Sequence, residues 1–457
     1  MAVPDEGSAT ALARELSGRV FRPGDPRYDD LRKPWLQVVD QHPKVIVDAA
    51  SVSDVVTAVT YARTQRIPLS VMATGHGIVG PCDDGLLLRL SAMRNISVDT
   101  ANRTATFGPG VTSGDLLGAV EPEGLAYPLG QVTSVGVTAF SLGGGLGWLV
   151  RHLGSAASHV LAVQLVLADG TVTRADETQN ADLFWALRGG GGNFGVVVSL
   201  TMALRPIPEV VGGELYFPIE RAADVLRFYR DWAAGLPTTT STVCRLLAAP
   251  PEDSVPAQIR GRTVCMFGLC HADPATSDAI LAPLRGLGTP LLDSVRRQRL
   301  SDVANLDPAS HAAGSPTYSH VEYLSSLSDE VIDGLVRIAH TTMPPLMQLE
   351  VQQLGGALAD EVGAHQAFTA PSAPFLLHAV TPAVTAPMDQ IAAATTDAFA
   401  SLGDVYTGEA YFNFLRGDQQ DRVGDAFGAD TFRRLREIKA TYDPDNMFRF
   451  TLNVPPT

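Results

Sequence analysis

The sequence predicts an α+β protein of more than one domain, on three observations. The first 205 residues carry three glycine-rich loops, each joined to a short apolar strand or a helix end. After Pro208 the glycine loops stop, and runs of strand and helix follow. After about residue 405 the pattern changes again, to an aromatic segment and one amphipathic helix. The expected division is 1–205, 206–405 and 406–457, and 457 residues suffice for two or three domains with a large core.

Composition narrows the function. The chain is 45% hydrophobic and 18% charged, with a net charge of −15, so its surface repels nucleic acid and anionic membrane. No apolar run is long enough to span a membrane. The start, MAVPDEGSATALARELSG, lacks a basic stretch followed by an apolar core, so no secretory signal is read, and residues 9–16 suggest a short helix. Four scattered cysteines form neither a disulfide framework nor a zinc-like set with histidine, so no metal is expected. The expected setting is a reducing cytoplasm, and the expected state a monomer or homodimer.

Residues 44–47 read as a strand. Ser51, Ser53 and Asp54 can cap a helix whose apolar positions are Val55, Val56, Val59 and Ala62. Apolar runs at 67–72 and 86–90 flank the segment VMATGHGIVGP (71–81), which suggests strand, tight loop, strand. Its glycines can turn sharply, and its N–H groups can cup a phosphate. His76 lies between two of them and is a nucleophile when neutral. The plain alternative is a surface hairpin with an incidental histidine. Residues 96–99 and 104–107 alternate around a turn and read as a hairpin, and Thr112 to Asp115 can cap a helix ending at Val120.

The second glycine cluster runs from Gly130 through Val132, Thr133 and Gly136 to Gly144, Gly145, Gly147 and Trp148. It matches neither the dinucleotide fingerprint nor a Walker A loop. Close helix packing is one reading, and ligand approach is favoured because the His76 loop comes shortly before. Asp169 and Gly170 mark a hairpin between strands at 160–167 and 171–174, and residues 182–187 are helical. The third cluster, RGGGGNFG (188–195), opens a strand over 196–204. Three such loops suggest a long ligand draped over the scaffold.

In the middle part, residues 213–218, 258–270, 347–354 and 376–381 read as strands, the first two in an antiparallel sheet. Residues 222–233, 274–284 (capped by Asp273), 328–339 and 387–400 read as helices, and the charged stretch 293–302 as a solvated face. Residues 410–415 read as a strand with Tyr411 and Asn413 on one face. Phe432, Leu435 and Ile438 mark the last helix. Cys265 and Cys270 are treated as buried apolar residues, and His152, His159, His311, His320 and His365 as structural.

In this order the pieces resemble the berberine-bridge-enzyme-like group of the vanillyl-alcohol-oxidase, or PCMH-type, flavoprotein superfamily. The likeness rests on the His76 loop, the LGGGLGW run ending at Trp148, WALRGGGGNFGVV (185–197), the segment from Gln353 to Ala357, and the C-terminal pair YFN (411–413) and YDPDNMF (442–448). It implies a PCMH-type FAD-binding domain built from both chain ends, and an α+β substrate domain with an antiparallel sheet covering the flavin ring. It implies cofactor contacts from Ala73, Thr74, Gly75, His76, Gly77, Gly80, Val132, Thr133, Gly136, Gly144, Gly145, Gly147, Val197, Tyr411 and Asn413.

His76 stands where the family's histidine joins the flavin C8 methyl. Val132 stands where many members carry a second, cysteinyl link, which valine cannot form. Met72, Ala73 and Thr74 replace the usual arginine, small residue and glycine, so a stiffer loop is expected. The implied reaction takes hydride from a small substrate (a polyketide, alkaloid or sugar) and delivers electrons to dioxygen, giving peroxide. The base for the substrate proton is Tyr411, if a nearby positive charge lowers its pKa, or His378. Gln353 is either a substrate-orienting residue or a structural amide. Competing readings are non-redox use of FAD in a cyclisation or isomerisation, and a dehydrogenase that reacts poorly with oxygen.

Overall fold

The computed structural model describes residues 6–305, 316–343, 346–361, 365–383 and 386–457; His311 lies outside them. Two small sheets come from the first part of the chain. One contains β1 (Arg19–Phe21), β2 (Val45–Asp48), β3 (Leu69–Met72) and β4 (Leu86–Arg89), in the order β1-β2-β4-β3. The other contains β5 (Ile96–Asp99), β6 (Thr104–Phe107), β7 (Val160–Val166), β8 (Val172–Asp176) and β9 (Val196–Ala203), in the order β5-β6-β9-β7-β8.

The helix Val52–Gln65 lies between them. Ser51 caps it by accepting from Asp54 N, and the Asp54 carboxylate reaches back to the Ser51 N–H. Its Val55, Val59 and Ala62 join one cluster with Leu86 and Leu88 of the first sheet and Val166, Val196 and Val198 of the second.

The third sheet has eight strands, and every pairing in it is antiparallel. Its long strands are β10 (Val210–Pro218), β11 (Thr240–Ala248), β12 (Thr263–His271), β13 (Thr317–Leu324), β14 (Gln348–Gln353) and β15 (Phe375–Pro382), in the order β10-β12-β11-β14-β15-β13. The stretch expected to be a solvated face keeps Asp293, Arg296, Arg297 and Arg299 exposed, while it also pairs Leu292–Asp293 and Arg296–Gln298 with the β10 edge and buries Val295, Gln298 and Leu300. Alternation along the strands separates two faces. Leu215, Phe267, Cys244, Val351 and Leu377 form an apolar row beneath the helices Ala222–Ala234 and Asp329–Thr342. The opposite face carries polar residues and meets the second glycine cluster.

The helix Ala429–Tyr442 anchors the C-terminal segment. Lys439 is fully buried, and its ammonium donates to Asp443 Oδ2 (2.6 Å), Asn193 O (2.6 Å) and Phe448 O (3.3 Å). Asp443, also fully buried, accepts from the N–H groups of Met447 and Phe448. Asn193 in turn accepts from Val454 N and donates to Leu452 O, so the third glycine cluster holds the chain's end.

The four cysteines are free and buried, and burial pushes the thiols of Cys82, Cys265 and Cys270 up to about 12. No described helix is long and apolar enough to cross a membrane.

Candidate active site

β3 and β4 pair in parallel, Leu69 opposite Leu86 and Met72 opposite Arg89. A tight hairpin cannot join parallel strands, so residues 73–85 cross from the end of β3 back to the start of β4. Ala73 and Thr74 open this crossing. Gly75 has φ 83°, and a Cβ on it would sit 2.6 Å from Trp35 N, so only glycine suits both the turn and the approach. The His76 ring stacks on Trp35 with centroids 3.9 Å apart, and its Nε2 lies 3.1 Å from Ser134 Oγ. Burial lowers the His76 pKa from 6.5 to about 4, against a smaller upward effect of a main-chain hydrogen bond to Ser134. The imidazole is therefore neutral at pH 7, with one nitrogen carrying a free lone pair.

Gly77 and Gly80 border open space, since a Cβ on either meets nothing within 4 Å. The main-chain N–H groups of His76, Gly77, Val79 and Gly80 find no main-chain acceptor among the described residues. These donors form a cradle suited to phosphate oxygens.

The second cluster meets this loop: a Cβ on Gly136 would lie 3.4 Å from the Thr74 side chain. It is held from behind by Gly114 N donating to Thr133 O (2.8 Å) and Ser113 N donating to Val135 O (2.9 Å). Val132 sits in this held segment, and Gly136 precedes the helix Val137–Leu142.

The remaining glycines serve close packing. A Cβ on Gly143 would strike Asn413 Oδ1, on Gly144 the Phe368 ring, on Gly145 Ala156 and Phe140, and on Gly147 the carbonyl of Leu129. In the third cluster, Gly189 meets Phe368 N and Gly191 meets the Phe412 ring. Protein atoms thus occupy the Cβ directions at Gly144, Gly145, Gly147 and 189–191, whereas that of Gly192 is open. Val197 is buried within β9 opposite Leu165.

Residues 410–415 are not a strand, for Phe412–Phe414 form a 3-10 turn. The turn lets both polar side chains reach the second cluster. Leu146 N donates to Tyr411 Oη (2.9 Å), and Asn413 Nδ2 donates to Phe140 O (2.9 Å) and to Tyr411 Oη (3.2 Å). The lowered pKa that a base role for Tyr411 would require is not found. Burial is the largest influence and pushes it up to about 12, so Tyr411 is a neutral phenol at working pH.

Facing these loops, the large sheet presents one transverse row: Tyr216, Met266, Arg245, Glu350 and His378, each opposite the next. Arg245 and Glu350 are 3% and 2% exposed and pair through Arg245 Nε. Arg245 also donates to Gln131 Oε1 (2.6 Å), and Gln131 Nε2 donates to Glu350 Oε1 (3.3 Å). Arg245 Nη1 lies 3.7 Å from Glu214, which accepts from Tyr216 Oη.

Burial pushes the Glu350 carboxyl up, but Arg245, His378 and the bonds from Arg245 and Gln131 outweigh it, leaving the group below its ordinary range and ionised. Burial lowers His378 to about 4, only partly opposed by Glu350, so it is neutral. Its Nε2 is enclosed and without a hydrogen-bond partner. The Phe414 ring links the two candidate bases, stacked on His378 (4.9 Å) and edge-on to Tyr411 (5.1 Å).

Gln353, on the opposite face, is a structural amide that donates to Ala233 O (2.5 Å) and accepts from Thr242 Oγ1. Of the histidines read as structural, His159 is buried near Ser155 and Ser158, and His320 pairs with Glu322. Gln131, Arg245 and Glu350 escaped the sequence reading. The signal was available in Gln348, Glu350 and Gln352, three polar residues at every second position of a strand whose other face is largely apolar.

A paired-loop cradle with a neutral histidine, under a polar sheet face, suits a phosphate-bearing cofactor held beside a nucleophilic side chain. Residues 43–176 match the FAD binding domain family, and residues 410–455 the family described as berberine and berberine-like. The chain is 28% identical to an uncharacterised FAD-linked oxidoreductase of Bacillus subtilis, YvdP, over 97% of this chain and 99% of that protein. It is 28% identical to (R)-6-hydroxynicotine oxidase of Paenarthrobacter nicotinovorans, over 98% and 99% of the two chains. Among solved structures, 6-hydroxy-D-nicotine oxidase from Arthrobacter nicotinovorans shares the fold with a TM-score of 0.86 at 24% identity, covering 97% of this chain and 98% of that one. The Physcomitrella patens protein BBE-like 1 does so at 0.84 and 20%, covering 98% and 99%. The protein is an FAD-linked oxidoreductase of the berberine-bridge-enzyme-like, PCMH-type group.

Proposed function

We propose that the protein is an oxidase that carries FAD covalently on His76 and removes hydride from a small organic substrate of specialised metabolism. Dioxygen is the electron acceptor and hydrogen peroxide the product. The carrying observation is the row Arg245, Glu350 and His378, tied by Gln131 to the same loop that meets His76. FAD supplies the two-electron acceptor; the chain's own groups supply the rest. The first loop's N–H groups and Gly77 and Gly80 receive phosphate, and His76 is the single anchor because Val132 offers no sulfur.

His378 takes the substrate proton at Nε2, since it is neutral and that nitrogen is unengaged. Tyr411 and Asn413 orient, with the Tyr411 O–H donating towards the substrate. Glu350, compensated by Arg245, fixes the local field. The division into an FAD domain (1–205 with 406–457) and a substrate domain (206–405) is part of this reading, supported by the hold of Lys439 and Val454 on Asn193. A reducing cytoplasm fits the four free cysteines.

The test is direct. Acid-precipitated protein should stay yellow, and His76→Ala should release its flavin on denaturation. A substrate that bleaches the protein without air should yield one peroxide per product in air. Bleaching without peroxide would make the protein a dehydrogenase, and retained flavin in His76→Ala would place the anchor elsewhere.

A further inference from the structure

The His76 ring is clamped from two sides. Trp35 fixes its plane by stacking, and Ser134 faces its Nε2 at 3.1 Å. The Ser134 hydroxyl oxygen can accept a proton from the nitrogen it faces, which leaves Nδ1 as the ring nitrogen with the lone pair. The clamp is itself rigid. Gly75 packs on Pro34 and Trp35, Leu36 N donates to Gly75 O, and Ser134 lies in the segment pinned by Ser113 and Gly114.

We propose that Ser134 and Trp35 are positioning residues for cofactor attachment: Ser134 accepts the Nε2 proton, so that His76 bonds the flavin through Nδ1. The inference rests on the reading of His76 as covalent anchor. In the step, the Nδ1 lone pair forms a bond to the C8 methyl carbon. That methyl loses one hydrogen as a proton, and the imidazolium then loses its Nε2 proton through Ser134 to solvent. The electron pair of the broken C–H bond passes into the flavin ring with two protons, and dioxygen takes both back, giving peroxide. Ser134 stabilises the positive charge that develops on the ring.

The experiment uses full-length protein made under riboflavin limitation, then mixed with FAD in air. Attachment is followed by intact mass and by in-gel flavin fluorescence. Ser134→Ala should bind FAD, seen as yellow colour that is lost on denaturation, but attach it about tenfold more slowly, the effect of one orienting hydrogen bond. Ser134→Thr should restore the rate, and Trp35→Phe should keep more of it than Trp35→Ala. The flavinyl peptide of the wild type should carry the bond at Nδ1. Attachment by Ser134→Ala at the wild-type rate, or a bond at Nε2, would overturn the assignment of Ser134. Wild-type protein that binds FAD but never attaches it would remove the covalent anchor and this inference together. Attachment that survives His76→Ala would do the same.

Discussion

Arg245 donates a 2.6 Å hydrogen bond to Gln131 Oε1, and this bond joins the middle of the large sheet to the second glycine cluster. Because Arg245 and Glu350 are both buried, Arg245→Met leaves a carboxylate enclosed and unpaired, a loss of about 3–5 kcal/mol. Urea unfolding should show it, and the double variant Arg245→Met, Glu350→Met should recover most of it. Glu350 sits below its ordinary pKa in the folded protein. Its contribution is therefore full above the ordinary carboxylate range and disappears as pH falls through its lowered value.

His76, His159 and His378 share one consequence. Each is lowered from 6.5 to about 4, with burial the main cause, so the unfolded chain takes up protons at these sites before the folded one does, His76 only while no flavin is bonded to it. Their stabilisation is complete above pH 6.5 and is lost as pH falls towards 4. Melting temperature measured from pH 8 to pH 4.5 should drop across that window, and His159→Gln should reduce the slope.

Tyr411→Phe removes the acceptor for Leu146 N and the hydroxyl proposed to face substrate. Stability should fall by about 1–3 kcal/mol for the unsatisfied donor. Because the phenol stays neutral up to about pH 12, the wild-type rate of flavin reduction should show no tyrosine ionisation between pH 6 and pH 10.

His378→Asn should slow flavin reduction by about a hundredfold, the usual worth of a positioned proton acceptor, with little change in flavin attachment. Stopped-flow reduction without air measures it. An unchanged rate would exclude His378 as the acceptor.

Lys439→Met strands Asp443 in the core and cuts the tie to Asn193. About 3–5 kcal/mol of stability should be lost, read in the thermal transition.

Elements with caps and a clear period were legible in the sequence. The helix Val52–Gln65 shows its start in Ser51 and Asp54, and the hairpin of β7 and β8 turns where Asp169 and Gly170 stand. β11 was not legible, because it is buried on both faces and its polar residues, Arg245 above all, do not look like core. The parallel pairing of β3 and β4 is set by β2 pairing on the far side of β4, a long-range fact absent from residues 67–90. At 410–415, alternating aromatic and polar residues suggest a strand, yet the bonds of Tyr411 and Asn413 to Leu146 and Phe140 settle a tight turn instead. Glycines whose missing Cβ opens onto space, such as Gly77, Gly80 and Gly192, stand beside others that admit a neighbour, such as Gly143 and Gly147, and composition cannot tell the two apart.

The placement of the cysteines bears on durability. Sulfur is oxidised as thiolate, and these thiols are sealed in the interior, three in the large sheet and Cys82 in the loop before β4, where burial suppresses ionisation. An oxidase generating peroxide at its own centre would find no reactive sulfur of its own to damage. Loss of such a catalyst over many turnovers should therefore begin at methionine or at the flavin, and thiol reductants should do little to prolong its working life.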